Sequence, residues 1–430
     1  MSAKRDVVKA PKGMNDIVPS APDAFLDSAV WERILRVAGG VLSSHGYQRV
    51  YLPAVEQTQL FTRGIGEDTD IVSKEMYTFE DRGGRSLTLR PEGTAGAVRA
   101  YVEHNFPNKE SVQRWWYAGP MYRAERPQKG RYRQFYQIGA EIFGVGTALA
   151  DAEMLIMLWT MARDLRLEDV ALRINTLGDA ESRSRYRDAL RDYLREREDS
   201  LSEHSRSLID KNPLRVLDSK RPEDKEVVAT APDILDVLTD DARAHFEAMT
   251  GYLDAADVPY QRDRKLVRGL DYYTGPIFEF TTGKLGAQDA VLGGGRYDNL
   301  VEELGGPSTP AVGFAAGVER LALILTREGA FQSGPDLYIV PMAGTEGKAL
   351  SLAQECRAAS SLKVEVDVSG GKMKQQMRRA DRIGVCYVLV LGENEVSSGK
   401  AKLKNMRGDE QIEVELTVSG LVSALSTRVP

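Results

Sequence analysis

The chain is 430 residues long, 42% apolar and 28% charged, with a formal net charge of −6. At roughly 150 residues per folding unit this makes about three units with a sizeable core, which excludes a single small module and a largely disordered chain. The negative balance disfavours indiscriminate nucleic-acid binding, and no uncharged apolar run approaches the ~20 residues that a membrane crossing needs. Cys356 and Cys386 have no further Cys or His at ligand spacing, and the four histidines are scattered, so neither a disulfide framework nor a protein-ligated metal is expected. Lys4 and Arg5 mix with Asp6 and no apolar segment follows, so no secretory or transit signal is read and a cytoplasmic location is expected.

Residues 22–44 place Trp31, Ile34, Leu35, Ala38, Val41 and Leu42 at helical steps, the stripe of an amphipathic helix. Arg49-Val-Tyr-Leu-Pro53 follows as a short strand stopped by proline. Ser86-Leu-Thr-Leu-Arg-Pro91 is extended, because proline pushes the residue before it out of the α region, and a helix runs on from about Glu92 to His104. Arg114–Tyr122 and Arg133–Phe143 read as an antiparallel pair whose connection is too long and too basic for an ordinary hairpin, which suggests binding. Helices are expected over 151–166 and 182–200, and a charged, proline-interrupted helical insertion over 181–254. Strands resume at Lys265–Val267 and Pro276–Thr282. Gly293-Gly-Gly295 is expected to lead into a helix from about Arg296, and Ala311–Leu325 reads as a strand of small residues running into a helix. Beyond Gly334-Pro335 strands and helices alternate through residue 391, the mark of a separate α/β domain. Its Lys372, Lys374, Arg378, Arg379 and Arg382 face only Asp381 along one predicted helix.

The strongest chemical signal is a set of arginines at fixed backbone positions, Arg123 ending the Trp115–Arg123 run and Arg320 following Gly317-Val-Glu. Guanidinium groups so placed suit bidentate recognition of phosphate. No Gly-x-x-x-x-Gly-Lys-Ser/Thr loop is present, so a nucleotide would be held by side chains on a sheet. Taken singly, these arginines also fit structural ion pairs, Tyr272-Tyr273 core aromatics, Glu141 a solvated carboxylate, and Gly293–Gly295 a tight turn with close helix packing.

Taken together and in order, the early helix with its Pro53-ended strand, the Arg123 hairpin and the Gly317-Val-Glu-Arg320 turn resemble the three signature motifs of class II aminoacyl-tRNA synthetases. Thr88-Leu-Arg-Pro-Glu-Gly-Thr94 and Leu266-Val-Arg-Gly-Leu-Asp-Tyr-Tyr273 narrow the resemblance to the histidyl-tRNA synthetase family, and Asn212-Pro-Leu-Arg-Val-Leu-Asp218 is similar to its bacterial form. The resemblance implies an α+β catalytic core on an antiparallel sheet (1–180 and 255–327), interrupted by the insertion at 181–254 and followed by an α/β anticodon-binding domain at 328–430. It implies activation of L-histidine with ATP and Mg²⁺, then transfer to tRNA(His), by a homodimer.

By the same resemblance Arg123 and Arg268 are catalytic. Glu92, Gly93, Thr94, Gln137, Glu141, Tyr272 and Tyr273, with both arginines, hold histidine, while Arg123, Glu125 and Arg320 hold ATP. Arg126, Gln128 and Arg131 are read either as solvated surface or as contacts to the tRNA acceptor end, and Lys374, Arg378 and Arg379 as anticodon-domain contacts. Two rival readings are a synthetase-like regulatory subunit, which typically lacks the C-terminal domain and erodes the motifs, and a synthetase for another amino acid, which Arg268–Tyr273 disfavours.

Overall fold

The computed structural model describes residues 8–66, 69, 71–109, 112–285, 290–327 and 334–426. Its packing divides the chain into two compact units, Met1–Ile17 with Trp31–Glu328 and Val18–Val30 with Gly329–Pro430.

The first unit is organised by strands β1 (Gln48–Arg49), β5 (Gln113–Tyr122), β6 (Gln134–Phe143), β7 (Val170–Thr176), β8 (Gln261–Arg262), β9 (Pro276–Thr282), β10 (Ala290–Arg296) and β11 (Ala311–Gly317), in the order β1-β5-β6-β11-β10-β9-β7-β8. β2 (Val55–Gln57), β3 (Tyr77–Glu80) and β4 (Ser86–Leu89) make a small sheet in the order β2-β4-β3. The expected antiparallel pairing holds through the six central strands of the large sheet, whereas its margins are parallel, β1 against β5 and β8 against β7. Parallel neighbours need a long crossover. Here residues 50–112 separate β1 from β5, and 177–260 separate β7 from β8.

The helix Ser28–Ser44 buries Trp31, Ile34, Ala38, Val41 and Leu42 as its stripe predicts, and sets Trp31 edge-on to Tyr136 of β6 with ring centroids 5.0 Å apart. Thr94–Glu103 and Ala148–Asp164 are also helical. Between β7 and β8 three helices and several 3₁₀ turns gather around their own apolar cluster, which includes Tyr186, Leu190, Val216 and Ile234, while a fourth helix, Asp240–Ala255, packs mainly against Ala148–Asp164.

Two local expectations are corrected. Lys265–Val267 is not a strand, because Leu266 N–H turns back to the Asp263 carbonyl while the Leu266 carbonyl accepts from the Asn175 side chain. The glycine run does not open a helix either. Gly293–Gly295 lie inside β10, and helix resumes only at Leu300.

In the second unit β12 (Leu337–Pro341), β13 (Val364–Val366), β14 (Tyr387–Leu391), β15 (Lys400–Asn405) and β16 (Gln411–Glu415) form a sheet in the order β13-β12-β14-β15-β16. The first three are parallel and the last two antiparallel. Leu337, Ile339, Leu389 and Leu403 pack with Leu352, Cys356 and Leu421 of its helices, while Tyr338, Val340 and Val388 pack with Ala380 of Met373–Arg382.

Candidate active site

One cleft of the first unit gathers Glu92, Thr94, Arg123, Glu125, Arg131, Gln137, Arg268, Tyr272, Tyr273 and Arg320 along its wall. Its origin lies in strand alternation, since residues two apart share a sheet face. Gln137, Gly139 and Glu141 share one face of β6. Their cross-strand partners are Gly119, Tyr117 and Trp115 on β5, and Gly317, Ala315 and Gly313 on β11. Ala315 in turn faces Gly293, and Gly293 faces Glu279. The centre of this face is thus nearly bare of side chains, whereas Phe314, Ile138 and Phe280 fill the other face. A Cβ on Gly313 would come within 1.6 Å of Glu141 Oε2, and one on Gly293 within 2.6 Å of an Arg268 guanidinium nitrogen. These glycines make room for charged groups and are not a turn.

Glu141 is not solvated, and it lies beneath the cleft wall with no exposed surface. It accepts hydrogen bonds from Thr94 Oγ1 (2.9 Å), Tyr117 OH (2.9 Å) and Tyr297 OH (2.5 Å). Burial, with neighbouring Glu92 adding to it and these hydroxyls opposing, pushes its carboxyl up to about 8. Glu92 precedes the helix Thr94–Glu103 by two residues and accepts from the backbone N–H of Thr94 (2.6 Å) and Ala95 (2.9 Å), and burial again raises its carboxyl. Gly93 leaves space for the Tyr117 ring, which a Cβ would strike at 2.1 Å. Gln137 Oε1 is buried without a hydrogen-bond partner, an acceptor open to a donor from a ligand.

The three predicted guanidinium groups come from three distant segments. Arg123 leaves the end of β5, donates from Nε to the Pro91 carbonyl at 3.0 Å and lies over Phe135. Arg320, at the start of the helix Val318–Arg327, donates to the Ala290 carbonyl and, at 3.3 Å, to the Gly130 carbonyl, which ties it to β10 and to the hairpin tip. Burial lowers the affinity of both for their protons. Arg268 stands in the loop before β9 and pairs with Glu279; burial pulls its pKa down, but Tyr273 and Glu279 move it upward on balance. Beside it Tyr272 and Tyr273 are buried with ring centroids 4.7 Å apart, on a loop and not at a strand end.

The 123–133 connection closes on a tight turn in which Gln128 and Arg131 exchange backbone hydrogen bonds, and Glu125 pairs with Arg131 at 3.3 Å. Arg126, Gln128 and Arg131 are exposed. Lys374, Arg378 and Arg379 are exposed on the helix Met373–Arg382 of the second unit.

Sequence reasoning missed Tyr117, Tyr297 and Glu279. Glu279 was detectable as the lone charge within an apolar strand, between Phe278 and Phe280. The two tyrosines became visible only through their shared partner, Glu141.

A mixed, largely antiparallel sheet that carries an arginine hairpin, a strand-to-helix arginine and a separate C-terminal α/β unit has the catalytic fold of a class II aminoacyl-tRNA synthetase. The family model described as histidyl-tRNA synthetase matches residues 24–321, and one described as an anticodon binding domain matches 336–428. A histidine–tRNA ligase of Alkalilimnicola ehrlichii is 46% identical over 98% of this chain and 97% of its own length. One of Thermosynechococcus vestitus is 47% identical over 94% of each. The crystal structure of apo histidyl-tRNA synthetase from S. aureus superposes with a TM-score of 0.70 at 34% identity, covering 97% of this chain and all of the other. The chain belongs to the histidyl-tRNA synthetase family.

Proposed function

We propose that the cleft joins the carboxylate of L-histidine to the α-phosphorus of ATP, expelling diphosphate, and that the histidyl group then passes to a terminal ribose hydroxyl of tRNA(His), expelling AMP. The observation that carries this reading is the convergence of Arg123, Arg268 and Arg320 on one wall above a floor stripped of side chains. Two anions meet in activation. Cations fixed beforehand stabilise the charge that grows at the transferred phosphorus without needing to reorganise, and no side-chain nucleophile is required.

In this reading Arg123 holds the α-phosphate and the histidine carboxylate, Arg320 the far phosphates, and Arg268 the charge of the transition state. The unpartnered Gln137 oxygen and Glu92 take the α-ammonium. Glu141, through the hydroxyl network it anchors, and Tyr272-Tyr273 read the imidazole, which offers one donor and one acceptor. Leaving such a network unpaired is costly, so apolar amino acids are rejected without an editing step.

Mg²⁺ would enter on the ATP phosphates, where it neutralises charge. Of the cleft carboxylates, Glu92 and Glu319 already accept from backbone N–H groups and Glu125 pairs with Arg131, which suits a metal held mainly by phosphate and water.

We read 1–180 and 255–327 as the catalytic core, 181–254 as its insertion and 328–430 as the anticodon reader. The exposed Arg126, Gln128 and Arg131 face the acceptor end, and Lys374, Arg378 and Arg379 the anticodon stem. The protein would work in the cytoplasm as a homodimer; no helix among the described residues is long and apolar enough to cross a membrane. Amino-acid-dependent exchange of labelled diphosphate into ATP tests the activation step. Exchange with histidine alone among the twenty amino acids, followed by charging of tRNA(His), is the expected result. No exchange with any amino acid would favour the regulatory-subunit reading, which the match over 336–428 counts against, and exchange with a different amino acid would favour the other-synthetase reading.

A further inference from the structure

Arg268, Tyr272 and Tyr273 stand on residues 263–275, a stretch that belongs to no strand or helix. Regular structure therefore cannot fix them, and the loop must take its geometry from neighbours. Its ends are held inside the core, where the Asn175 side chain donates to the Leu266 carbonyl at 3.0 Å and Thr274 N–H donates to the Arg296 carbonyl at 2.8 Å. Its middle is held by the helical insertion. Arg183 of the helix Ala180–Arg195 donates to the Tyr273 carbonyl at 2.9 Å. Asn212 Nδ2 and Arg215 Nη2 both approach Asp271 Oδ1, at 3.4 and 3.2 Å, and Val267 packs against the insertion's apolar cluster. On the other side Asp271 N–H donates to the Ile65 carbonyl at the end of the helix Thr58–Ile65.

We infer that Asn212 and Arg215, acting through Asp271, are positioning residues for activation: the insertion holds the loop so that Arg268 meets the reacting phosphate. An ordinary half-exposed ion pair contributes little to stability, and the Arg215 and Asp271 side chains are 22% and 38% exposed. Asp271 lies three residues beyond Arg268 and directly before Tyr272, and a displacement of ~1 Å at a reacting group can cost on the order of 100-fold in rate. The Asn212–Asp218 motif, which the chemistry of the cleft leaves without a role, gains one. The insertion becomes a lever on the activation step, since any contact that shifts residues 212–215 shifts the catalytic loop.

The inference rests on the role given above to Arg268, and the test separates the two. Diphosphate exchange is measured on the full chain for Arg215→Met, Asp271→Asn and Arg268→Ala, and for Arg215→Met combined with Arg268→Ala. Arg215→Met and Asp271→Asn are each expected to lower kcat about tenfold with KM for ATP within about twofold, at unchanged melting temperature. In the Arg268→Ala background Arg215→Met should cost less than about twofold, because the cation it positions is gone. Arg215→Lys, keeping the charge, should recover part of the loss. The same fractional loss in both backgrounds, or no loss from Arg215→Met, overturns the positioning role while leaving Arg268 in place. An unchanged kcat for Arg268→Ala itself would instead remove the reading on which the inference stands.

Discussion

The two large sheets of this chain treat their faces in opposite ways. The three parallel strands of the second unit's sheet are covered on both, with Ile339 and Leu389 buried on one side and Tyr338 and Val388 on the other. The eight-stranded sheet packs one face in the same manner but leaves Gly139, Gly313, Ala315, Gly317 and Gly293 in the middle of the other. Buried glycines in a strand forgo packing and cost backbone entropy. The first sheet gives up apolar burial where charged and polar groups must converge, while the second unit leaves its cations on solvated surface, on β15 at Lys400, Lys402 and Lys404 and on the helix Met373–Arg382.

The largest effect is expected at the emptied face. Arg268→Ala should leave histidine and ATP binding within roughly tenfold but slow activation by ~100-fold or more, as for a cation that acts mainly in the transition state. Equilibrium binding and single-turnover adenylate formation measure the two parts. A matched pair of substitutions sharpens the contrast. Gly313→Ala drives a methyl group into the Glu141 carboxylate and should raise KM for histidine by on the order of tenfold, whatever the ~1–3 kcal/mol it costs in overpacking. Ile339→Ala should cost ~2–5 kcal/mol within the second unit and leave exchange unchanged. If calorimetry and kinetics gave the two variants the same profile, the contrast between the sheets would fail.

For the second sheet's helix, neutralising Lys374, Arg378 and Arg379 together should raise KM for tRNA several-fold. It should also reduce the salt dependence of binding by a log–log slope of up to ~2, because fewer counterions are released. ATP and histidine kinetics should not follow. The smallest effect concerns pH. Glu141 and Glu319 are both raised by burial to about 8 from an ordinary 4.5. The folded chain keeps protons that the unfolded chain releases, so their contribution to stability is complete below about 4.5 and is lost as pH rises through about 8. Melting temperature should therefore decline between about pH 4.5 and 8 and level off above that, and Glu319→Gln should flatten the decline.

Strands whose faces differ clearly were legible in the sequence: β5, β6, β9 and β11 fall where alternation and the proline and glycine boundaries put them. β7 was not, because Arg173 interrupts its apolar run, and nothing was read beyond 391, where β15 and β16 carry exposed Lys and Glu at alternate positions. The glycine run of β10 reads in the sequence as leading into a helix, with a tight turn as the plainer alternative, because flexibility is what glycine suggests when read alone. Its partners, the Arg268 guanidinium over Gly293 and the β11 backbone against Gly294, come from a separate loop and from the neighbouring strand. The site arginines were legible because each ends or begins a recognisable run. Tyr117 and Tyr297 were not, since a tyrosine in an apolar run reads as core until Glu141 is seen between them.

Both margins of the eight-stranded sheet end in strands of only two residues, β1 and β8. A sheet margin is a row of unpaired amides and carbonyls on which another chain can add, and the hazard grows with the length of the row. Here the template is two residues long at either end, and at β1 the Arg49 guanidinium lies over the Tyr51 and Trp116 rings. A wide sheet that keeps one face open for ligands is thereby protected against growth in its own plane, so self-association by strand addition is suppressed without closing the face the chemistry needs.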